Sequence, residues 1–241
     1  MTDSLTRQWC GRENAVGTVT IGVSIAVPEP YGSFLQERRA GFGDPAAHGI
    51  PTHVTLLPPT VVDAAALPGI ERHLAEVAAG WGPFPMRLSG TDTFRPLSPV
   101  VFVKIVEGAE DCTALQERVR AASGPCAREL QFPYHPHVTI AHGISEEAMD
   151  RAYAELKDYE AAWTIEGFAL YEQGQDGVWR LEREYPFGSA GGRGPGPTFP
   201  RQTQHADHDR DGRDRARGRD SARDRGRGHG PARNEPLNVT E

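Results

Sequence analysis

The sequence predicts an α+β fold made of two pseudo-symmetric lobes of the β-α-β-α-β type. Three observations carry this reading. Strand-like and helix-like segments alternate between residues 18 and 187, and the order of segments starts again near residue 100. The tripeptide His-Val-Thr occurs once in each half, at residues 53–55 and 137–139, 35 residues after the strand beginning at Thr18 and 37 after the one beginning at Val100. An element order used twice with matching spacing is the mark of an internal repeat. The expected architecture is bilobal, with a central cleft that carries both tripeptides.

The elements follow in order. In TVTIGVSIAV, Val19, Ile21, Val23, Ile25 and Val27 fall on one face, the period-two pattern of a strand. Pro28 and Pro30 stop it, and EPYGSFLQERRAGF reads as a helix entered through proline. THVTLL is a short strand that Pro58 and Pro59 are expected to end. Ile70, Leu74, Val77 and Trp81 recur at helical spacing, which predicts an amphipathic helix over residues 67–81. PFPMRLSGTDTF reads as a strand with a polar end. VVFVKIV, residues 100–106, is apolar on both faces like a central strand, and its Lys104 is expected to reach an edge rather than a ligand. In the second half Cys112, Leu115, Val119 and Ala122 mark a helix at about 111–123, and PHVTIA is a strand. Met149, Ala152, Leu156 and Tyr159 mark another helix, with Ser145 and Glu147 or Asp150 near its start as cap candidates. AWTIEGFALYE and GVWRLERE read as two closing strands joined by QGQDG.

The chain of 241 residues carries 26 basic and 33 acidic side chains, but this total averages two unlike pieces. Residues 188–241 hold 11 Arg and 8 acidic residues, with Phe199, Leu237 and Val239 as their large apolar residues. So little apolar surface does not offset the entropy of ordering the segment, which predicts a disordered Arg/Asp/Gly-rich tail. Its Asp residues alternate with the Arg and cancel most of the field that a phosphate backbone would feel, so the tail reads as a solvated polyampholyte. Residues 1–16 are expected to be a flexible extension, and residues 17–187 the bilobal domain. Residues 1–187 hold 15 basic and 25 acidic side chains, a net of −10 that argues against broad electrostatic binding to nucleic acid, and no DNA partner is expected. No apolar run approaches the ~20 residues of a membrane span. The first residues lack the apolar stretch of a secretory signal. The three cysteines form no C-x-x-C pair, so neither a structural zinc site nor a disulfide framework is expected. These features predict a monomeric cytoplasmic protein that needs no cofactor.

Side chains at i and i+2 of a strand share a face, so His53 projects with Thr55, and His137 with Thr139. A twofold-related pair of strands would bring two imidazoles and two hydroxyls to one cleft. That set suits a phosphodiester. One imidazole, with an ordinary pKa near ~6.5, takes a proton from water while the other gives one to the leaving oxygen. The Thr hydroxyls hydrogen-bond the non-bridging oxygens as charge builds on them. No metal is required. One His-x-Thr on a strand means little, and the duplication carries the inference. His135 shares the face of His137, but without a Cys or acidic partner nearby in sequence the pair is not expected to hold a metal. Tyr134 and Phe94 are candidates for stacking on a base, and Arg95 for a further phosphate contact.

The segments PTHVTLLPP and YHPHVTIAH resemble the paired H-x-[ST]-x motifs of the 2H phosphoesterases, the superfamily of 2'-5' RNA ligase-like proteins and RNA 2',3'-cyclic phosphodiesterases. The resemblance covers about residues 17–187. It implies a bilobal α+β fold in which His53 and His137 are the general acid/base pair and Thr55 and Thr139 bind the phosphate. It further implies hydrolysis of a 2',3'-cyclic phosphodiester, on RNA ends or small nucleotides, to a 2'-phosphomonoester. Two alternatives stand beside that reaction. One is hydrolysis or ligation of a 2'-5' phosphodiester in the same cleft, and the other is a nucleotide- or RNA-binding module that performs no reaction. Which imidazole is the base stays open at this point.

Overall fold

The chain alternates strands and helices as β1 (Thr18–Ala26), α1 (Tyr31–Gly41), β2 (His53–Asp63), α2 (Leu67–Ala79), β3 (Phe84–Thr93), β4 (Val100–Glu107), α3 (Ala109–Val119), β5 (His137–His142), α4 (Glu146–Glu155), β6 (Glu160–Ile165), β7 (Gly167–Gln173) and β8 (Trp179–Pro186). This is a computed structural model, and it describes residues 17–129 and 132–188. The expected N-terminal extension, and the expected tail beyond Gly188, lie outside the described residues. Local chemistry accounts for several boundaries. Ser145 caps α4, its hydroxyl accepting from the Ala148 N–H at 3.3 Å. Glu110 and Asp111 stand in the first turn of α3, where the helix dipole favours negative charge. Among the described residues, no helix is long and apolar enough to cross a membrane.

The eight strands form one antiparallel sheet in the order β6-β3-β4-β5-β2-β1-β7-β8. The α+β class and the doubled β-α-β-α-β order hold, but the spatial halves do not follow the sequence repeat. Strand β3 of the first repeat pairs with β4 and β6, while β7 and β8 complete the half that contains β1 and β2. The helices are exchanged as well: α1 packs against β5, and α3 against β2. Each half is therefore covered in part by a helix from the other repeat.

Two readings of the sequence need correction. AWTIEGFALYE is two strands, β6 and β7, separated by Glu166 and standing first and seventh in the sheet. One residue spans at most about 3.6 Å, so the sheet must curl until these distant strands meet. Their alternating apolar pattern runs through the break and conceals it. Gly167 marks it, because a β-carbon there would lie 2.5 Å from the Tyr185 carbonyl oxygen. The second correction concerns Pro58 and Pro59, which lie inside β2 rather than at its end. The register passes from Ile21↔Thr60 to Val23↔Leu57, leaving both prolines opposite Gly22 in a bulge where no ladder N–H is required.

One face of the sheet packs on the helices. Val54, Leu56, Val101, Val103, Val138 and Ile140 meet Leu35, Leu74, Leu115 and Met149 there in one apolar cluster. Burying a side chain of this size contributes about 1.5–3 kcal/mol. The two halves join between β2 and β5 at the pair Val54↔Val138, both 0% exposed. A second tie lies beside it, where the Tyr134 hydroxyl donates to the Thr55 carbonyl oxygen at 2.7 Å.

Two stability predictions follow from this packing. Leu115→Ala, which empties the contact of α3 with the sheet, is expected to lower the unfolding free energy by about 2–5 kcal/mol in urea denaturation. Tyr134→Phe removes one bond between the halves and is expected to lower it by about 1 kcal/mol. An unchanged urea midpoint for Tyr134→Phe would show that this bond contributes nothing to the join.

Candidate functional site

The pair Val54↔Val138 organises the site. With both valines turned to the core, the residues flanking them, His53 and Thr55 on β2 and His137 and Thr139 on β5, are turned to the opposite face. All four are half-buried. In an antiparallel register centred on the valines, His53 stands beside Thr139, and Thr55 beside His137. Each imidazole therefore neighbours the hydroxyl of the other strand, with the two imidazoles on a diagonal. The structure thus brings together the four residues singled out in the sequence.

Both imidazoles are held in the same way. The Nδ1 of His53 donates to the Pro51 carbonyl oxygen at 2.6 Å, and the Nδ1 of His137 to the His135 carbonyl oxygen at 2.7 Å. In each motif the acceptor lies two residues upstream. This bond orients each ring and assigns proton exchange with a ligand to Nε2.

The support of His53 reaches into α1. Gln36 donates through its amide to the Ala47 carbonyl, and to the Ile50 carbonyl at 2.9 Å. Its amide oxygen accepts from the Thr52 hydroxyl at 2.7 Å, which secures the loop leading to His53. Arg39 and Asp44, 4% and 2% exposed, pair at 2.7 Å below that loop, and Asp44 also accepts from the Ala46 N–H at 2.9 Å. Burial pushes the His53 imidazole down to about 4, and the charges of Arg39 and His137 add to the lowering. The hydrogen bond to the Pro51 carbonyl works in the opposite direction. The balance of these effects favours the neutral imidazole at His53.

The surroundings of the two motifs differ. Beside His53 and Thr55 lies a pocket lined by Gly22, Ser24, Leu57, Tyr171 and Trp179. Gly22 matters here because a β-carbon would stand 3.1 Å from the Trp179 ring, so its absence lets the indole lie against β1. Beside His137 stand aromatic rings. Phe94 meets His137 edge to face with centroids 5.0 Å apart, and Phe102 lies 5.1 Å from the same ring. His135 adjoins both phenylalanines at 5.4 and 5.3 Å.

The remaining candidates have defined positions. Phe94 is at the site, packed on Phe102 at 4.5 Å and on His137. The hydroxyl of Tyr134 is engaged by the Thr55 carbonyl, so this residue ties the motifs together. Arg95 is drawn to α4, where it pairs with Glu146 at 2.7 Å and Asp150 at 2.8 Å. A carboxylate pair one turn apart on a helix, Glu146 and Asp150, was the available sign that this arginine is held elsewhere.

Sequence reasoning missed the surroundings of Lys104. It is paired in register with His137, and Phe102 with Thr139, so both project on the face of the motifs. The signal was present in VVFVKIV. Val101 and Val103 face the core, which leaves Phe102 and Lys104 together on the other side.

Residues 27–177 match the 2'-5' RNA ligase superfamily. A curated protein of Halalkalibacterium halodurans, provisionally named a phosphoesterase, is 28% identical over 169 residues, covering 69% of this chain and 96% of the relative. A protein of Bacillus cereus named in the same way is 29% identical over 147 residues, covering 60% of this chain and 84% of the relative. E. coli LigT, crystallised with 3'-AMP, superposes at a TM-score of 0.50 with 18% identity, covering 72% of this chain and 100% of LigT, a likeness of fold. The superfamily match extends over more than half of the chain and includes both His-Val-Thr strands, and the protein belongs to the 2'-5' RNA ligase superfamily, the 2H phosphoesterases.

Proposed function

We propose that the protein is a metal-independent phosphodiesterase that hydrolyses a 2',3'-cyclic phosphate, on RNA ends or small nucleotides, to a 2'-phosphomonoester. The observation that carries this reading is the crossed set of two imidazoles and two hydroxyls around Val54↔Val138, with both imidazoles oriented through Nδ1. In the proposed step, Nε2 of His53 takes a proton from water as its oxygen attacks phosphorus. Nε2 of His137 gives a proton to the departing 3'-oxygen, so the ring opens and the phosphate stays on the 2'-oxygen. Thr55 and Thr139 hydrogen-bond the two non-bridging oxygens as negative charge grows on them. The lowered pKa of His53 supports its role as the base, because a base must be unprotonated to act. The 3'-AMP complex of E. coli LigT supports a nucleotide as the ligand class.

Turnover of adenosine 2',3'-cyclic phosphate, a cyclic-phosphate-ended oligonucleotide and a 2'-5'-linked dinucleotide, each with and without EDTA, tests the reaction. The cyclic phosphates are expected to be consumed, equally well in EDTA. Turnover of the 2'-5' linkage alone, or loss of activity in EDTA, would overturn the proposal. His53→Ala and His137→Ala are each expected to reduce kcat/KM by about 10²- to 10⁴-fold. Thr55→Ala and Thr139→Ala should cost less, up to about 10²-fold, because the proton-transfer pair remains.

The pH profile separates the two roles. With His53 near 4, the acid limb of kcat/KM is expected well below the ordinary imidazole range, with activity lost as pH falls through about 4. Loss of the proton on the general acid lowers activity at high pH and completes a bell. An acid limb at or above about 6.5 would show that His53 is not the base.

A further inference from the structure

Among the described residues, the face that carries the motifs has a lysine, Lys104, with no carboxylate partner. Lys104 is half-buried on β4 directly across from His137, and between the motif residues Val103 pairs with Val138 on the core side. Its side chain leans over β3 at Gly90. There a β-carbon would lie 3.5 Å from Cε and 3.6 Å from Nζ, and 2.9 Å from the Lys157 carbonyl oxygen. Gly90 has φ +67°, a left-handed conformation suited to glycine, so the backbone leaves room for the lysine. Two described cations near the site are neutralised, Arg39 by Asp44 and Arg95 by Glu146 and Asp150. No described carboxylate lies within ion-pair distance of Lys104.

Among the described residues, β1 offers no such cation beside the first motif. Across from His53 stands Ala26, and across from Thr55 stands Ser24. The pocket beyond them is lined by Gly22, Leu57, Tyr171 and Trp179, without a charge. A substrate whose reacting phosphate lies between the motifs therefore meets an uncharged pocket on the His53 side and an ammonium on the His137 side.

We propose that Lys104 binds a second phosphate of the substrate, on the 5' side of the nucleoside that carries the cyclic phosphate. This rests on the reaction proposed above and narrows its substrate class to a chain end, or a nucleotide already bearing a 5'-phosphate, over a nucleoside cyclic phosphate alone. The net of −10 on residues 1–187 makes such a local contact more telling, since the domain as a whole repels polyanions.

The test compares adenosine 2',3'-cyclic phosphate with the same compound bearing a 5'-phosphate, for the wild-type chain, Lys104→Met and Lys104→Arg. The wild type is expected to prefer the 5'-phosphorylated substrate in kcat/KM. Lys104→Met should lower that preference about 10- to 100-fold, mainly through KM, the range of one charge-assisted hydrogen bond. Lys104→Arg should restore part of it. Thermal unfolding of each variant guards against a folding defect. A preference unchanged in Lys104→Met, or no preference in the wild type, would overturn the proposal. Calorimetric binding of adenosine 3',5'-bisphosphate against adenosine 3'-monophosphate gives an arm independent of turnover. There the bisphosphate should bind at least about tenfold tighter in the wild type and lose that advantage in Lys104→Met. Binding preference without turnover of either cyclic phosphate would sink the reaction and keep the anion site. Equal binding of the two nucleotides would sink the anion site itself.

Discussion

The antiparallel pairing of Val54 with Val138 is the constraint on which the chemistry of this protein depends. A strand has a side-chain period of two, so a slip of one residue in either β2 or β5 would turn imidazole and hydroxyl toward the helices and valine toward solvent. The apolar cluster opposes that slip. Leu56 and Ile140 next to the valines are 0% exposed, and exchanging them for His and Thr would bury polar groups without partners. The same packing that stabilises the sheet therefore sets the register of four polar side chains. The exchange of α1 and α3 between halves strengthens this, because each His-Val-Thr strand rests on a helix from the other repeat.

The electrostatic design around this register is unequal on its two sides. His53 loses solvent and lies near the buried Arg39–Asp44 pair, which favours the neutral ring. His137 stands among Phe94, Phe102 and His135, with Lys104 in the adjacent register position. Two equivalent motifs thus occupy different surroundings, and acid and base roles can separate although the residues themselves are the same. The repeat supplies the pair of groups, and the divergence of its flanking strands, Ser24 and Ala26 against Phe102 and Lys104, supplies the difference.

Much of this was legible in the chain because the signals are local. The valines of β1, the helical spacing of Ile70 and Leu74, and the i, i+2 relation of His to Thr all depend on near neighbours in sequence. What was not legible depends on distant ones. Nothing in AWTIEGFALYE reveals that Ile165 pairs with Phe84 while Gly167 pairs with Pro186 at the other side of the sheet. Pro58 and Pro59 lie within a strand because Gly22 faces them in a bulge, a condition set by a segment 36 residues earlier in the case of Pro58. Arg95 was a candidate anion contact until Glu146 and Asp150 captured it, and Tyr134 a stacking candidate until its hydroxyl reached Thr55. Burial and partner choice belong to the tertiary structure, and a single strand or loop does not contain them.

The one-residue link at Glu166 bears on how the chain is made. β1 and β2 are made before the second repeat, yet their outer neighbours β7 and β8 are made after it. During synthesis the outer edge of β1 is an open ladder of N–H and C=O groups, and closing it requires contacts across more than 140 residues. The first repeat alone lacks the two strands that lie beyond β1 in the sheet. Any cut between the repeats therefore separates β1 from the strands that finish its side of the sheet.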